Sequence, residues 1–223
     1  RKNYDLFIDS FCKNHKDIFY LENKKNDYKV FHNFTKVRLI GSKLTQKQTE
    51  HYKTPQGISI DIFPLDKYKL KPNIFDDLKY KIFKLIENIV LYKSGYNSKL
   101  NFIFKKVSDI VTKFISFKSA AYLSNILMKR YNYSCHKGLT SYASGWGYKK
   151  HLMPIEVYGE PEKILFEGLY FSCPSDYHFY LSKVYGDYMK PPKIENQKSH
   201  HFYKDIEISN EMIKKWNFFA LKD

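Results

Sequence analysis

The stretch GISIDIFPLD, Gly57 to Asp66, decides how the chain is read. Ile58 through Phe63 form a strand that Pro64 stops. Side chains alternate along a strand, so Ile58, Ile60 and Ile62 share one face and Ser59, Asp61 and Phe63 the other. The isoleucine face is expected to be core. On the opposite face the Asp61 carboxylate needs a cation, a donor or water. Either that face is simply wet, or Asp61 belongs to a metal-binding active site along the sheet.

Around this strand, 223 residues suffice for one domain with a substantial core. The chain holds 20 Tyr and 18 Phe, part of which an AT-rich coding sequence would produce without functional pressure. Its 38 basic and 23 acidic residues leave +15, which implies an anionic partner: nucleic acid, a phosphorylated small molecule or an anionic membrane surface. Cys12, Cys135 and Cys173 show no metal-ligand spacing and read as reduced thiols of a cytoplasmic protein. No apolar run approaches the roughly 20 residues of a membrane span.

Along the chain, residues 4–20 read as a short helix with Leu6, Phe7, Phe11 and Ile18 inward. Residues 28–41 alternate as a strand, and 42–57 read as a polar loop. From Pro72 the pattern is helical, with Ile74, Leu78, Ile82, Leu85 and Ile89 as one inner stripe. Ile103, Val107, Ile110 and Phe114 form a second stripe, and a third helix carries Tyr122, Leu123, Ile126 and Leu127. Between Asp61 and Arg130 fourteen basic and six acidic residues leave +8, either a solvated helical layer or a basic face toward a membrane that includes Lys105, Lys106 and Lys113. Leu169 to Ser172 reads as a strand, followed by a helix capped by Ser175 or Asp176 and ended by Gly186. On that helix Tyr177, Tyr180, Leu181 and Val184 face inward.

Lys36 and Arg38 lie two apart and so share a strand face. Two adjacent cations suit a phosphate between them, or are ordinary strand charges. Asp61 is the complementary group: it could hold Mg²⁺ while the two cations hold phosphate oxygens. Asp66 reads as shaping a turn. Glu167 and Asp187 stand beside glycines, where they either point inward or order a loop. His200 and His201, taken alone, read as surface residues. No Walker A, GxGxxG or GxSxG run is present, which disfavours P-loop kinases, dinucleotide enzymes and α/β hydrolases.

Together these pieces resemble the LicD family, which includes choline-phosphate transferases of bacterial surface glycans and fukutin-related proteins. The resemblance rests on RKNY at 1–4, FTKVR at 34–38, GISIDIFPLD at 57–66, the stretch from Leu165 to Pro192 containing YGDYMKPP, and the histidines at 200 and 201. These run in family order over nearly the whole chain.

The resemblance implies an α/β (α+β) fold, a nucleotidyltransferase-like mixed sheet with a helical lobe over 61–131, in a single LicD-like domain spanning 1–223. It implies that Asp61 is a catalytic carboxylate, ligating Mg²⁺ (or Mn²⁺) or helping to deprotonate the acceptor. Lys36 and Arg38 would hold the donor's phosphates, with Asp187, His200 and His201 on the substrate. The donor would be CDP-choline or a similar CDP-linked molecule, and the acceptor a glycan or lipid-linked glycan. Work on such an acceptor places a cytoplasmic enzyme in peripheral contact with the inner face of the membrane. The family's Trp-Asp-Asp-Asp-Ile-Asp run, which supplies its metal-binding pair, would fall before Arg1, so the chain as it stands carries at most one of the expected metal carboxylates. The rival from another class is a non-catalytic basic nucleic-acid-binding protein. It ranks lower because most aromatics fall on core stripes rather than among basic residues.

Overall fold

The computed structural model describes residues 1–46, 57–94, 109–110, 113–197 and 203–214. Helices and strands are both well represented, so the α+β expectation holds. The chain divides into two compact units, one of residues 2–63, 84–124 and 199–223, the other of residue 1, 64–83 and 125–198.

In the first unit, helix α1 (Lys2–Asn14) is followed by strands β1 (Phe19–Glu22), β2 (Thr35–Leu39), β3 (Ser42–Gln46) and β4 (Ser59–Ile62). Strands β1, β2 and β4 make an antiparallel sheet with β2 in the middle. The alternation of TKVRL sets its two faces. Thr35, Val37 and Leu39 are buried, while Lys36 and Arg38 are half-buried on the other side. Beneath the buried face α1 packs Tyr4, Phe7, Ile8 and Phe11 against Phe19, Leu21, Val37 and Ile62. Strand β3 pairs with β10 (Tyr203–Ile208).

The first helix thus ends at Asn14, and Ile18 lies outside it. Leu6, expected inside, is exposed. The supposed loop contains β3, and the strand expected from residue 28 begins at Thr35. Ile60, expected in the core, is 66% exposed. It occupies an edge strand, and of the two β4 isoleucines only Ile62 joins the cluster with α1.

The second unit contains an antiparallel sheet of β5 (Asp66–Tyr68), β6 (Gly138–Thr140) and β7 (Met153–Pro154). Its core gathers Tyr68, Phe83, Met128, Tyr142, Tyr148 and Leu152, and the Tyr68 and Tyr142 hydroxyls meet at 2.7 Å. Asp66 does structural duty, binding the Arg1 guanidinium and accepting from Asn132 Nδ2 at 2.6 Å. Helix α2 (Ile74–Lys93) opens with a reciprocal cap. Asn73 Oδ1 accepts from the Asp76 amide at 3.2 Å, and Asp76 Oδ2 accepts from the Asn73 amide at 2.9 Å.

The face that α2 buries differs from the expected one. Phe83, Ile86, Ile89 and Val90 are buried, whereas Ile74, Leu78, Ile82 and Leu85 are exposed. The helix is apolar on more than one side, so period alone could not choose. Helix α3 (Phe117–Lys129) follows the same rule: Ala120, Ser124 and Met128 are buried, while Tyr122, Leu123 and Ile126 are exposed. Ile110 and Phe114 are also exposed, while Ile103 and Val107 lie outside the described residues.

A short helix α4 (Ile155–Tyr158) precedes the hairpin of β8 (Glu162–Phe166) and β9 (Leu169–Cys173) and helix α5 (Tyr177–Tyr185). Asp176 caps α5 by accepting from the Phe179 amide at 2.9 Å, and Gly186 ends the helix, both as read from sequence. Val184 is buried with Met153 and Val157, and Tyr180 packs against them.

Candidate functional site

The site-bearing surface is the polar face of the β1–β2–β4 sheet, in the first unit. Register creates it. Glu22 stands opposite Lys36, and Lys36 opposite Asp61; one step along, Tyr20 faces Arg38 and Arg38 faces Ser59. Positions opposite one another in a ladder point to the same face, so Glu22, Lys36, Arg38 and Asp61 converge although spread over forty residues of sequence.

Lys36 Nζ donates to Asp61 Oδ1 at 2.7 Å, and the two side chains keep 23% and 36% of their surface exposed. The Lys36 ammonium also lies 5.1 Å from the centre of the Phe34 ring. Arg38 is anchored from two directions: Nε donates to Glu22 Oε2, and Nη1 donates to the Gly57 carbonyl at 3.0 Å. Its Nη2 group has no partner among the described residues.

Behind these cations lies a buried polar layer with no motif in the sequence. Glu22 also meets His32 Nε2 at 2.9 Å, while His32 Nδ1 meets the Phe34 carbonyl at 2.9 Å. Both ring nitrogens thus lie within hydrogen-bond distance of an oxygen. Burial alone would push the Glu22 carboxyl up, but the hydrogen bonds from His32 and Arg38 override it and hold the group down at about 2. Glu22 is therefore a buried anion held between the Arg38 guanidinium and the His32 ring.

On the opposite face of β2, Thr35 Oγ1 pairs with the Tyr4 hydroxyl at 2.6 Å and accepts from Asn23 Nδ2 at 3.3 Å. Lys24 donates to Asn33 Oδ1 at 2.6 Å, and burial pulls its ammonium down to about 8.

Lys36, Arg38 and Asp61 thus share one face, with Lys36 and Asp61 in direct contact. Asp187 follows α5 in the other unit and pairs with Lys190 at 2.7 Å in an exposed position. His200 and His201 lie outside the described residues. Glu22 and His32 carry no signal in the sequence: Glu22 falls outside the helix read over 4–20 and the strand read over 28–41, and nothing local brings it to His32.

As a cation site the surface is incomplete. Among the described residues no group of three His, Cys, Asp or Glu side chains could hold a metal. Asp61 carries an ammonium on one oxygen, and the neighbouring Glu22 is spent on Arg38 and His32. The donor set present does not fit a protein-built Mg²⁺ site, which needs several oxygen ligands. What the surface presents is two cations on alternate positions of one strand, each paired with a carboxylate.

Comparison with known proteins agrees with the family resemblance. The chain is 31% identical over 144 residues to the lipopolysaccharide cholinephosphotransferase LicD of Haemophilus influenzae, covering 63% of this chain and 48% of that protein. The chain spans about half the length of that relative. No family model matches the chain, and no solved structure matches it. The LicD-family resemblance read from the sequence is borne out by this relative.

Proposed function

We propose that this LicD relative transfers phosphocholine, or a similar phospho-substituent, from a CDP-linked donor to a sugar hydroxyl of a cell-surface glycan. The observation that carries the reading is the cross-strand row of Lys36 and Asp61 with Arg38 beside it, inside the segments that resemble the family. The acceptor oxygen attacks the phosphorus bearing choline, and the bond from that phosphorus to the bridging oxygen of CMP breaks. A phosphodiester forms and CMP leaves with the bond's electron pair. Asp61 takes the acceptor's proton. Lys36 and the open edge of Arg38 stabilise the charge that builds on the departing phosphate.

Donor phosphate exchanges with Asp61 for the Lys36 ammonium, which frees the carboxylate to act as base. Mg²⁺ (or Mn²⁺) accompanies the donor's diphosphate in this proposal, and no step is assigned to it. An acceptor built on lipid places the enzyme at the inner face of the cytoplasmic membrane; among the described residues no helix is long and apolar enough to cross one. The test incubates the protein with CDP-choline labelled in the choline methyls and lipopolysaccharide. Label on the glycan with stoichiometric CMP supports the reading. CMP without labelled glycan, or neither product, rejects it.

A further inference from the structure

We infer that the outward face of helix α3 is a docking surface for anionic lipid. The inference rests on the proposed work at a lipid-linked acceptor only for its biological setting; the physical grounds are the helix itself. At about 100° per residue, the buried positions Ala120, Ser124 and Met128 fall on one arc of α3. Tyr122, Leu123 and Ile126 fall on the opposite arc and are 67%, 42% and 46% exposed. Lys118 precedes this apolar patch by one turn, and Lys129 and Arg130 follow it by one. An apolar strip between basic ends, too short to span a bilayer, is the arrangement of a helix lying in the headgroup region.

Charge selects lipid over the other occupants. The 46 residues from Ile110 to Ile155 contain seven Lys or Arg and no Asp or Glu. Two other exposed apolar surfaces contain acidic side chains. The β8–β9 hairpin exposes Leu165, Phe166, Leu169 and Tyr170, but residues 156–195 around it hold seven acidic side chains against four lysines. On α2, Ile74, Phe75 and Leu78 are exposed beside Asp76 and Asp77, of which Asp77 pairs with Lys149 at 2.8 Å, so that surface carries ion pairs rather than unopposed basic ends. An anionic bilayer repels the hairpin surface, and it meets no acidic side chain on α3. The aromatic Tyr122 adds a side chain suited to the interface between headgroup and acyl chain.

The experiment is co-sedimentation with vesicles of phosphatidylcholine alone or mixed with phosphatidylglycerol, at about 0.1 M and about 1 M salt, where the screening length falls from ~10 Å to ~3 Å. Binding is expected to the mixed vesicles at low salt only. Lys118→Glu with Arg130→Glu, and separately Leu123→Asp with Ile126→Asp, should each weaken it by about tenfold or more. Leu165→Asp with Tyr170→Asp on the hairpin should leave it unchanged.

Equal binding to neutral vesicles, or unaltered binding by the charge-reversed variant, overturns the inference. So does loss of self-association in sedimentation velocity by the α3 variants with vesicle binding intact, which would assign the face to a second copy. Transfer to a delipidated, water-soluble glycan should survive in the charge-reversed variant. That arm separates failure of the docking surface from failure of the proposed reaction.

Discussion

Lys36 Nζ and Asp61 Oδ1 stand 2.7 Å apart at opposed positions of adjacent strands, each partly open to solvent. Such a pair adds little to stability, about 0–1 kcal/mol. Asp61→Asn is therefore expected to fold with a thermal midpoint within a few degrees of the parent. Transfer should fall by about 10²-fold or more, because the amide cannot take the acceptor's proton. The swapped pair Lys36→Asp with Asp61→Lys restores the contact but inverts the polarity, and should remain inactive. Initial rates of CMP release alongside differential scanning calorimetry check all three proteins. Near-parental turnover by Asp61→Asn would remove Asp61 from the reaction.

The Glu22 carboxylate is a different kind of contact. It is 3% exposed and bridges Arg38 to His32, so removing its charge leaves the Arg38 guanidinium without its carboxylate in a buried layer. Glu22→Gln is expected to cost about 3–5 kcal/mol. Urea unfolding followed by circular dichroism reads this as a drop in midpoint at unchanged slope. A loss below 1 kcal/mol would mean that the layer is hydrated and the clamp unimportant.

Acid should act through the same carboxylate. Its folded value lies near 2 against an ordinary 4.5, so its contribution is complete above about 4.5 and is lost as pH falls toward 2. The difference amounts to about 3 kcal/mol at most. Asp76, fully buried, is also held at about 2: burial opposes this, while the Asn73 amide, Tyr131 and the lysines 69 and 79 prevail. It adds a loss as pH falls from about 3.8 toward 2. Unfolding midpoints measured at pH 7 and pH 3 should differ strongly in the parent and less in Glu22→Gln. Equal sensitivity in both proteins would exclude Glu22 as a source.

Parts of this site were legible before any coordinates, and the reasons differ by residue. Lys36 and Arg38 share a face because strand alternation is a local property, and Asp176 and Gly186 bound α5 through equally local chemistry. Glu22 and His32 were not legible. Their meeting depends on the β1–β2 register, and β1 is a four-residue strand separated from α1 by a single turn. The inner face of α2 was misread for another reason. Ile74, Leu78 and Ile82 have as good a period as Phe83, Ile86 and Val90, and only tertiary packing decides between them.

The hairpin turn gives the last expectation. Phe166 pairs with Leu169, which leaves Glu167 and Gly168 as a two-residue loop with φ of 51° and 79°. Positive φ at both positions defines a type I′ turn, which favours Asn-Gly and is strained for glutamate. Glu167→Asn should relax that strain, and Gly168→Val should add to it, each by about 1 kcal/mol. Both strands are exposed along nearly their whole length, so the hairpin draws little support from a core. The effect should therefore appear in local opening rather than global unfolding. Amide hydrogen exchange over residues 162–173 is the measurement: slower in Glu167→Asn, faster in Gly168→Val, with the β1–β2–β4 amides unchanged. Uniform changes across both units would mean that the hairpin unfolds only with the whole chain.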